Sequence, residues 1–257
     1  MLYIHFTHAN GFPAKTYSIL FEYLNKHKIS LVEILGSNTD YDKINWEDLS
    51  EEIVESAKKL NNRVIGIGHS LGGVLTLLAA SKYPKIFESV ILLDPPLFSS
   101  YKRGFIKVFR KFNLDDFLSP ARKSMRRRDK FDSKKQAFEY LKSKKLFKNF
   151  HPIALEDYIK HGLAEKENGF ELKIPVKKEI AIYRSLLTEY PSSLYNVKGV
   201  IAYSTKNPIL WKSDLNWIKK NFKKINIYPF PGTHFYPLEN PESTANLINR
   251  VLKNKYI

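Results

Sequence analysis

Apolar residues in this chain fall into two alternating patterns. Continuous runs of β-branched, aromatic and aliphatic residues predict strands at 2–7, 31–35, 63–68, 89–94, 197–203 and 225–230. Between them, apolar positions return every three or four residues, as on the buried face of a helix. Residues 46–60 place Trp46, Leu49, Ile53, Ala57 and Leu60 on one stripe, with Asn45 as N-cap and Asp48 at the third helical position. Further helices are predicted over 13–27, 71–82, 214–222 and 241–253, the last opened by Asn240-Pro241. Strands and helices alternating at this spacing imply a parallel sheet covered on both faces, with right-handed crossovers. Ligands of such sheets bind at the carboxyl ends of the strands. From 98 to 195 the alternation stops and short helical patterns take over, such as Ala137-Phe138-Tyr140-Leu141 and Ile180-Ile182-Tyr183-Leu186-Leu187.

One junction carries chemistry. Gly68-His69-Ser70-Leu71-Gly72 joins the strand at 63–68 to the helix at 71–82, the strand–turn–helix setting of a G-x-S-x-G nucleophile elbow. Such a turn is too tight for side chains two positions to either side of the serine, so Gly68 and Gly72 provide clearance. The helix N-terminus behind Ser70 adds partial positive charge and free N–H groups, which suit an anion. Two more segments end up at the same sheet edge. His8-Ala9-Asn10-Gly11-Phe12-Pro13 follows the first strand, and Pro231-Gly232-Thr233-His234-Phe235-Tyr236 follows the last.

Together these three segments, in this order and spacing, resemble an α/β-hydrolase of the serine type. The resemblance covers roughly residues 1–99 and 197–257. It implies a mostly parallel, doubly wound sheet lacking the family's usual first hairpin. It also implies a helical lid over 100–196, inserted after what the family counts as its sixth strand. Ser70 would be the nucleophile and His234 its base. The acid departs from the common pattern, because Asn207 occupies the place that usually carries Asp. A neutral amide cannot stabilise imidazolium by charge, and Asp-to-Asn exchange in a serine protease costs about 10⁴ in rate. Asp94, ending the strand at 89–94, is the position where some members place their acid, and Ser70, Asp94, His234 is the chain order expected of this fold. The oxyanion hole would use the backbone N–H of Leu71 and one from the loop at 8–12. Counting from His8 selects Asn10, and Phe12 is the alternative if Ala9-Asn10 is an insertion. His8 and His69 are expected as structural hydrogen-bonding groups.

Composition narrows the functional classes without adding chemistry. The chain has 257 residues, 43% hydrophobic, and no cysteine. That excludes disulfides and thiolate zinc sites and makes the cytoplasm the expected compartment. No apolar run approaches the ~20 residues that span a bilayer, so a soluble chain without a transmembrane segment is expected. Neither a metal-ligand cluster, a Walker loop nor a dinucleotide fingerprint is present, so no cofactor and no metal are implied. The net charge is +16, and residues 101–190 hold 23 of the 42 basic but 12 of the 26 acidic residues. Arg126-Arg127-Arg128 and 142–148 either line an anion-binding patch or form a solvated helical face; no nucleic-acid motif accompanies them. Phe105, Phe109, Phe112, Phe117, Phe131, Phe147 and Phe150 either line an apolar acyl site or are ordinary core. The expected activity is hydrolysis of a small, partly apolar, ester-like molecule, or an amide or thioester, through an acyl-enzyme. An acyltransferase on the same residues, or a non-catalytic ligand-binding member of the fold, are the alternatives.

Overall fold

The computed structural model describes residues 1–112, 114, 116 and 119–254, so Phe117 lies outside the described residues. The first half lays down β1 (Tyr3–Thr7), α1 (Ser18–Glu22), β2 (Lys28–Leu31), α2 (Trp46–Lys58), β3 (Val64–His69), α3 (Leu71–Lys82) and β4 (Phe87–Leu93). An insertion follows, with α4 (Ser100–Lys111), α5 (Ala121–Ser124), β5 (Lys130–Phe131), α6 (Lys134–Lys142), α7 (Pro152–Gly162), β6 (Leu163–Lys166), β7 (Gly169–Leu172) and α8 (Val176–Arg184). The chain then returns through β8 (Gly199–Ser204), α9 (Lys212–Asn221), β9 (Ile225–Phe230), α10 (Tyr236–Glu239) and α11 (Pro241–Lys253).

The main sheet has six strands in the order β2-β1-β3-β4-β8-β9, and every neighbouring pair is parallel. Alternation along each central strand feeds two separate cores. On β4, Ile91 and Leu93 pack with Phe6, Tyr17 and Ile248 on one face. Val90 and Leu92 pack with Trp46, Leu75 and Ile218 on the other. Helix α3 is apolar on all sides because it is buried on all sides: ten of its twelve residues are enclosed. Asn45 caps α2 as expected, its side chain accepting from the Asp48 N–H at 2.8 Å.

Three elements depart from the sequence reading. The edge strand β2 covers 28–31 instead of 31–35, because it pairs only with Tyr3–Phe6 of β1. The apolar residues after it run on as a loop, whose Leu35 N–H donates to His8 Nε2 at 3.0 Å. The helix expected over 13–27 is a short 3₁₀ turn at Ala14–Tyr17 followed by α1, which lets Tyr17 turn inward to the sheet edge. The insertion is not purely helical either. It holds a three-stranded antiparallel sheet, β5-β7-β6, whose β6–β7 hairpin turns at Lys166–Gly169.

A largely enclosed ion pair ties two segments of the insertion to each other. Arg127 Nη1 meets Glu179 Oε2 at 2.5 Å, and Glu179 Oε1 accepts from Ser124 Oγ at 2.7 Å. The other Arg127 nitrogen donates to the Tyr158 hydroxyl. Arg127 is therefore neither a solvated residue nor one open to an anion, whereas its neighbours Arg126 and Arg128 are exposed. Removing one member of such a pair leaves the other charged and desolvated, at a cost of about 3–5 kcal/mol, while replacing both by apolar side chains is often neutral. Glu179→Gln should therefore destabilise by roughly 3 kcal/mol in urea titration. Adding Arg127→Met to it should recover most of that loss.

Candidate active site

The four loops expected to converge do so at the carboxyl edge of the sheet. The elbow is set by backbone crowding: a Cβ on Gly72 would sit 2.3 Å from the Thr7 carbonyl oxygen, and one on Gly68 would sit 2.3 Å from that of Gly72. Ser70 takes φ 54° and ψ −122°, a strained conformation for a residue with a side chain. It is held there by its N–H donating to the Leu93 carbonyl at 2.9 Å. Asp94 also has positive φ, 47°, and its N–H donates to the Ala202 carbonyl at 2.7 Å.

These two turns and the loop after β9 bring three side chains into line. His234 Nδ1 lies 2.7 Å from Asp94 Oδ2, and His234 Nε2 lies 2.9 Å from Ser70 Oγ. Since an ionised carboxylate only accepts, Nδ1 carries the proton and Nε2 is left to accept from the serine hydroxyl. The fully buried Asp94 is further held by the Ser204 N–H at 2.9 Å and the Ser204 hydroxyl at 2.8 Å. Burial alone would raise its pKa, but the bond to His234, its charge and the two Ser204 donors outweigh that and hold Asp94 below the usual carboxylate value. Asn207 is elsewhere: it is exposed, in a turn with φ 54°. Serine, imidazole and carboxylate in this order can abstract the hydroxyl proton as the oxygen attacks an electrophile.

Two backbone features lie beside the serine. Gly73 N–H bonds the Ser70 carbonyl at 2.9 Å, and helix geometry leaves the preceding N–H groups of α3, Leu71 first, without an intrahelical acceptor. In the loop after β1, Phe12 N–H donates to the Ala9 carbonyl at 3.1 Å, and Gly11 has φ 80°. This is a type II turn with Asn10 at its first corner. The Phe12 N–H is thus spent inside the turn. The Asn10 side chain donates to the Glu179 carbonyl of α8 at 2.9 Å, tying this loop to the insertion.

Sequence reading missed the wiring beneath. Ala9 N–H donates to the Tyr17 hydroxyl at 3.3 Å, and that hydroxyl donates to His69 Nδ1 at 2.7 Å. His69 Nε2–H in turn donates to the His234 carbonyl at 2.9 Å. Nothing in the spacing of Tyr17 marks it, since it sits inside an ordinary apolar stripe. His8 plays the structural part expected of it, its Nδ1–H on the Ala9 carbonyl and its Nε2 on Leu35 N–H. Of the phenylalanines weighed as an acyl lining, Phe147 and Phe150 pack with Phe12, at ring distances of 6.1 and 5.9 Å. Phe12 packs in turn on Phe235, 5.2 Å away and adjoining His234. Phe131 is core against Tyr140, while Phe105 and Phe112 face solvent.

Comparison with known proteins places the chain in a family. Residues 6–246 match the alpha/beta hydrolase family, and the chain belongs to it. Ethanol acetyltransferase 1 of Hanseniaspora uvarum is 23% identical over 222 residues, covering 79% of this chain and 64% of that protein. The chain thus spans somewhat under two thirds of that relative. Among solved structures, E-2-(acetamidomethylene)succinate hydrolase superposes with a TM-score of 0.78 at 17% identity, covering 98% of this chain and 91% of that one. The thioesterase domain from the curacin biosynthetic pathway superposes with a TM-score of 0.73 at 16% identity, covering 96% and 90%. No described helix is long and apolar enough to cross a membrane, and no described group of His, Cys, Asp and Glu could hold a metal.

The buried histidines give the site a definite response to acid. Desolvation lowers the pKa of His5 to about 3, of His8 to about 4 and of His69 to about 3. Each is neutral when folded and takes up a proton on unfolding below about pH 6.5, so their stabilisation is complete above that pH and lost as pH falls towards 4. Near pH 5 three such protons give a slope of about 4 kcal/mol per pH unit. Asp94 adds to the loss only below its ordinary value of about 4. Urea titrations should show little change near pH 7 and a fall in stability that approaches this slope near pH 5, and His5→Phe should reduce it by about one proton.

Proposed function

We propose that this chain is a serine hydrolase that cleaves a carboxylic ester, or an amide or thioester, through an acyl-enzyme. The observation that carries the reading is the unbroken hydrogen-bonded line from Asp94 Oδ2 through His234 to Ser70 Oγ. In this scheme Ser70 Oγ attacks the acyl carbon while His234 Nε2 takes its proton, and Asp94 fixes the tautomer and stabilises the imidazolium. The oxyanion is received by the N–H groups of Leu71 and Asn10, each contributing roughly 3 kcal/mol. Collapse breaks the bond to the leaving alcohol, which takes the proton from His234. A water then gives its proton to His234 and its hydroxide to the acyl carbon; the bond from that carbon to Ser70 Oγ breaks, Oγ takes the proton back from His234, and the acid leaves. Asn10 is preferred to Phe12 because the Phe12 N–H is bonded to Ala9.

Residues 1–99 and 197–257 form the catalytic core in this reading, and 100–196 a lid roofing the serine. Phe147 and Phe150 from the lid, with Phe12 and Phe235 from the core, suit a small, partly apolar acyl group. Transfer of the acyl group to an alcohol in place of water is the second reading. It is favoured by the likeness to an ethanol acetyltransferase, and the ratio of ester to acid formed in the presence of ethanol separates the two.

A fluorophosphonate probe should label the wild-type chain, and Ser70→Ala should abolish labelling without lowering the melting temperature. Label that persists in Ser70→Ala would refute the nucleophile. Asp94→Asn should lower kcat on p-nitrophenyl esters by about 10³–10⁴ with little change in KM. Asn207→Ala should leave both near wild type, since that side chain lies in an exposed turn.

A further inference from the structure

Helix α4 is built the wrong way out for a helix of a water-soluble surface. Its apolar residues Tyr101, Phe105, Val108 and Phe112 recur at the spacing of a single helical stripe. That stripe faces solvent, with the four residues 86%, 47%, 54% and 65% exposed. The Phe105 and Phe109 rings lie 4.4 Å apart beside it, tilted by 38°. The inward side holds Ile106 and two arginines instead. Arg103, buried, donates to the carbonyls of Phe98 at 3.1 Å and Thr188 at 2.9 Å, and its guanidinium lies 4.0 Å over the Tyr190 ring. Arg110 donates to the Leu186 carbonyl at 2.9 Å. Rotating the helix to bury its aromatics would strip both guanidinium groups of these acceptors, so the display is fixed by the fold.

We propose that this stripe is a docking face for an anionic lipid surface. Charge complementarity selects that occupant. Residues 101–112 contain five basic and no acidic side chains, in a chain of net charge +16, and of the five Arg103 and Arg110 point inward. Lys107 and Lys111 border the stripe on one side, both exposed, with Lys107 in a surface ion pair with Glu189 at 2.6 Å. Lys102 borders it on the other, paired with the buried Asp214 at 3.4 Å and with its ammonium 4.5 Å from the ring of Trp211, itself 63% exposed. Aromatic residues flanked by lysines are the composition that settles at the headgroup level of a bilayer, apolar side down. A second copy of the chain fits poorly, because a two-fold contact through this face would bring the same lysines together. The helix begins six residues after Asp94, so docking would set the serine edge of the sheet beside the lipid. The inference stands whether or not Ser70 is a nucleophile.

Co-sedimentation of the full chain with vesicles tests it, using phosphatidylcholine alone and phosphatidylcholine mixed with phosphatidylglycerol. The chain should partition onto the mixed vesicles. Phe105→Ser combined with Phe112→Ser should weaken partitioning at least about tenfold while leaving the melting temperature unchanged, since both side chains face water. Phe105→Trp should show a blue-shifted emission on adding mixed vesicles. Equal partitioning of wild type and the double variant would reduce the effect to non-specific charge and overturn the proposal, as would absence of partitioning. A dimer in sedimentation equilibrium that the double variant abolishes would assign the face to a second copy and overturn it as well.

Discussion

Thr7 ends the first strand with its carbonyl pressed against the first turn of α3, and everything at the sheet edge takes its position from that contact. The approach leaves no room for a side chain at Gly72, and the same crowding at Gly68 forces the chain through Ser70 with a positive φ. Strain of this kind, of order 1–3 kcal/mol, persists only where the surroundings over-determine it. Here the surroundings are the parallel pairing of β1, β3 and β4 on one side and a helix buried on all sides on the other. The result is a serine at the tip of the turn, with the end of β1 and the start of its loop packed against Gly72 two residues on.

Much of this arrangement was legible in the sequence, because the elements concerned are governed by local rules. The elbow is spelled out by two glycines around Ser70, the Asn45 cap by its fit to Asp48, and the central strands by unbroken apolar runs. Edge and insertion were harder to read. The run Leu31-Val32-Glu33-Ile34-Leu35 reads as a strand in isolation, but an edge strand has one partner, and β1 offers pairing only as far as Phe6. The three short strands of the insertion lie beneath the length at which alternation can be recognised. The Asn168-Gly169 pair was a turn signal that accompanied them. Tyr17 and Glu179 could not be found from spacing at all, since what they do depends on partners 52 and 169 residues away.

The polar groups at the site fall into two sets that differ in how they are held. Asp94, Ser204, His69 and Tyr17 are enclosed and bonded among themselves or to backbone, with His69 kept neutral by burial. A neutral imidazole next to His234 avoids placing a second positive charge beside a ring that becomes charged in the proposed reaction. Ser124, Arg127 and Glu179 instead bond to one another within the insertion, and Asn10 alone of this set reaches it from the loop after β1, through the Glu179 carbonyl. One set shapes the serine edge from within the core. The other holds the insertion together and meets that edge at Asn10.

The chain of bonds from Ala9 through Tyr17 and His69 to the His234 carbonyl links segments that begin, middle and end the polypeptide. These bonds join the loop after β1, the residue beside Ser70 and the histidine loop into one hydrogen-bonded unit. Such a unit can be inherited intact while the insertion diverges. For the proposed reaction, selectivity is then free to drift in the insertion, provided an acceptor remains where the Glu179 carbonyl meets Asn10. Relatives sharing this base need not share a substrate.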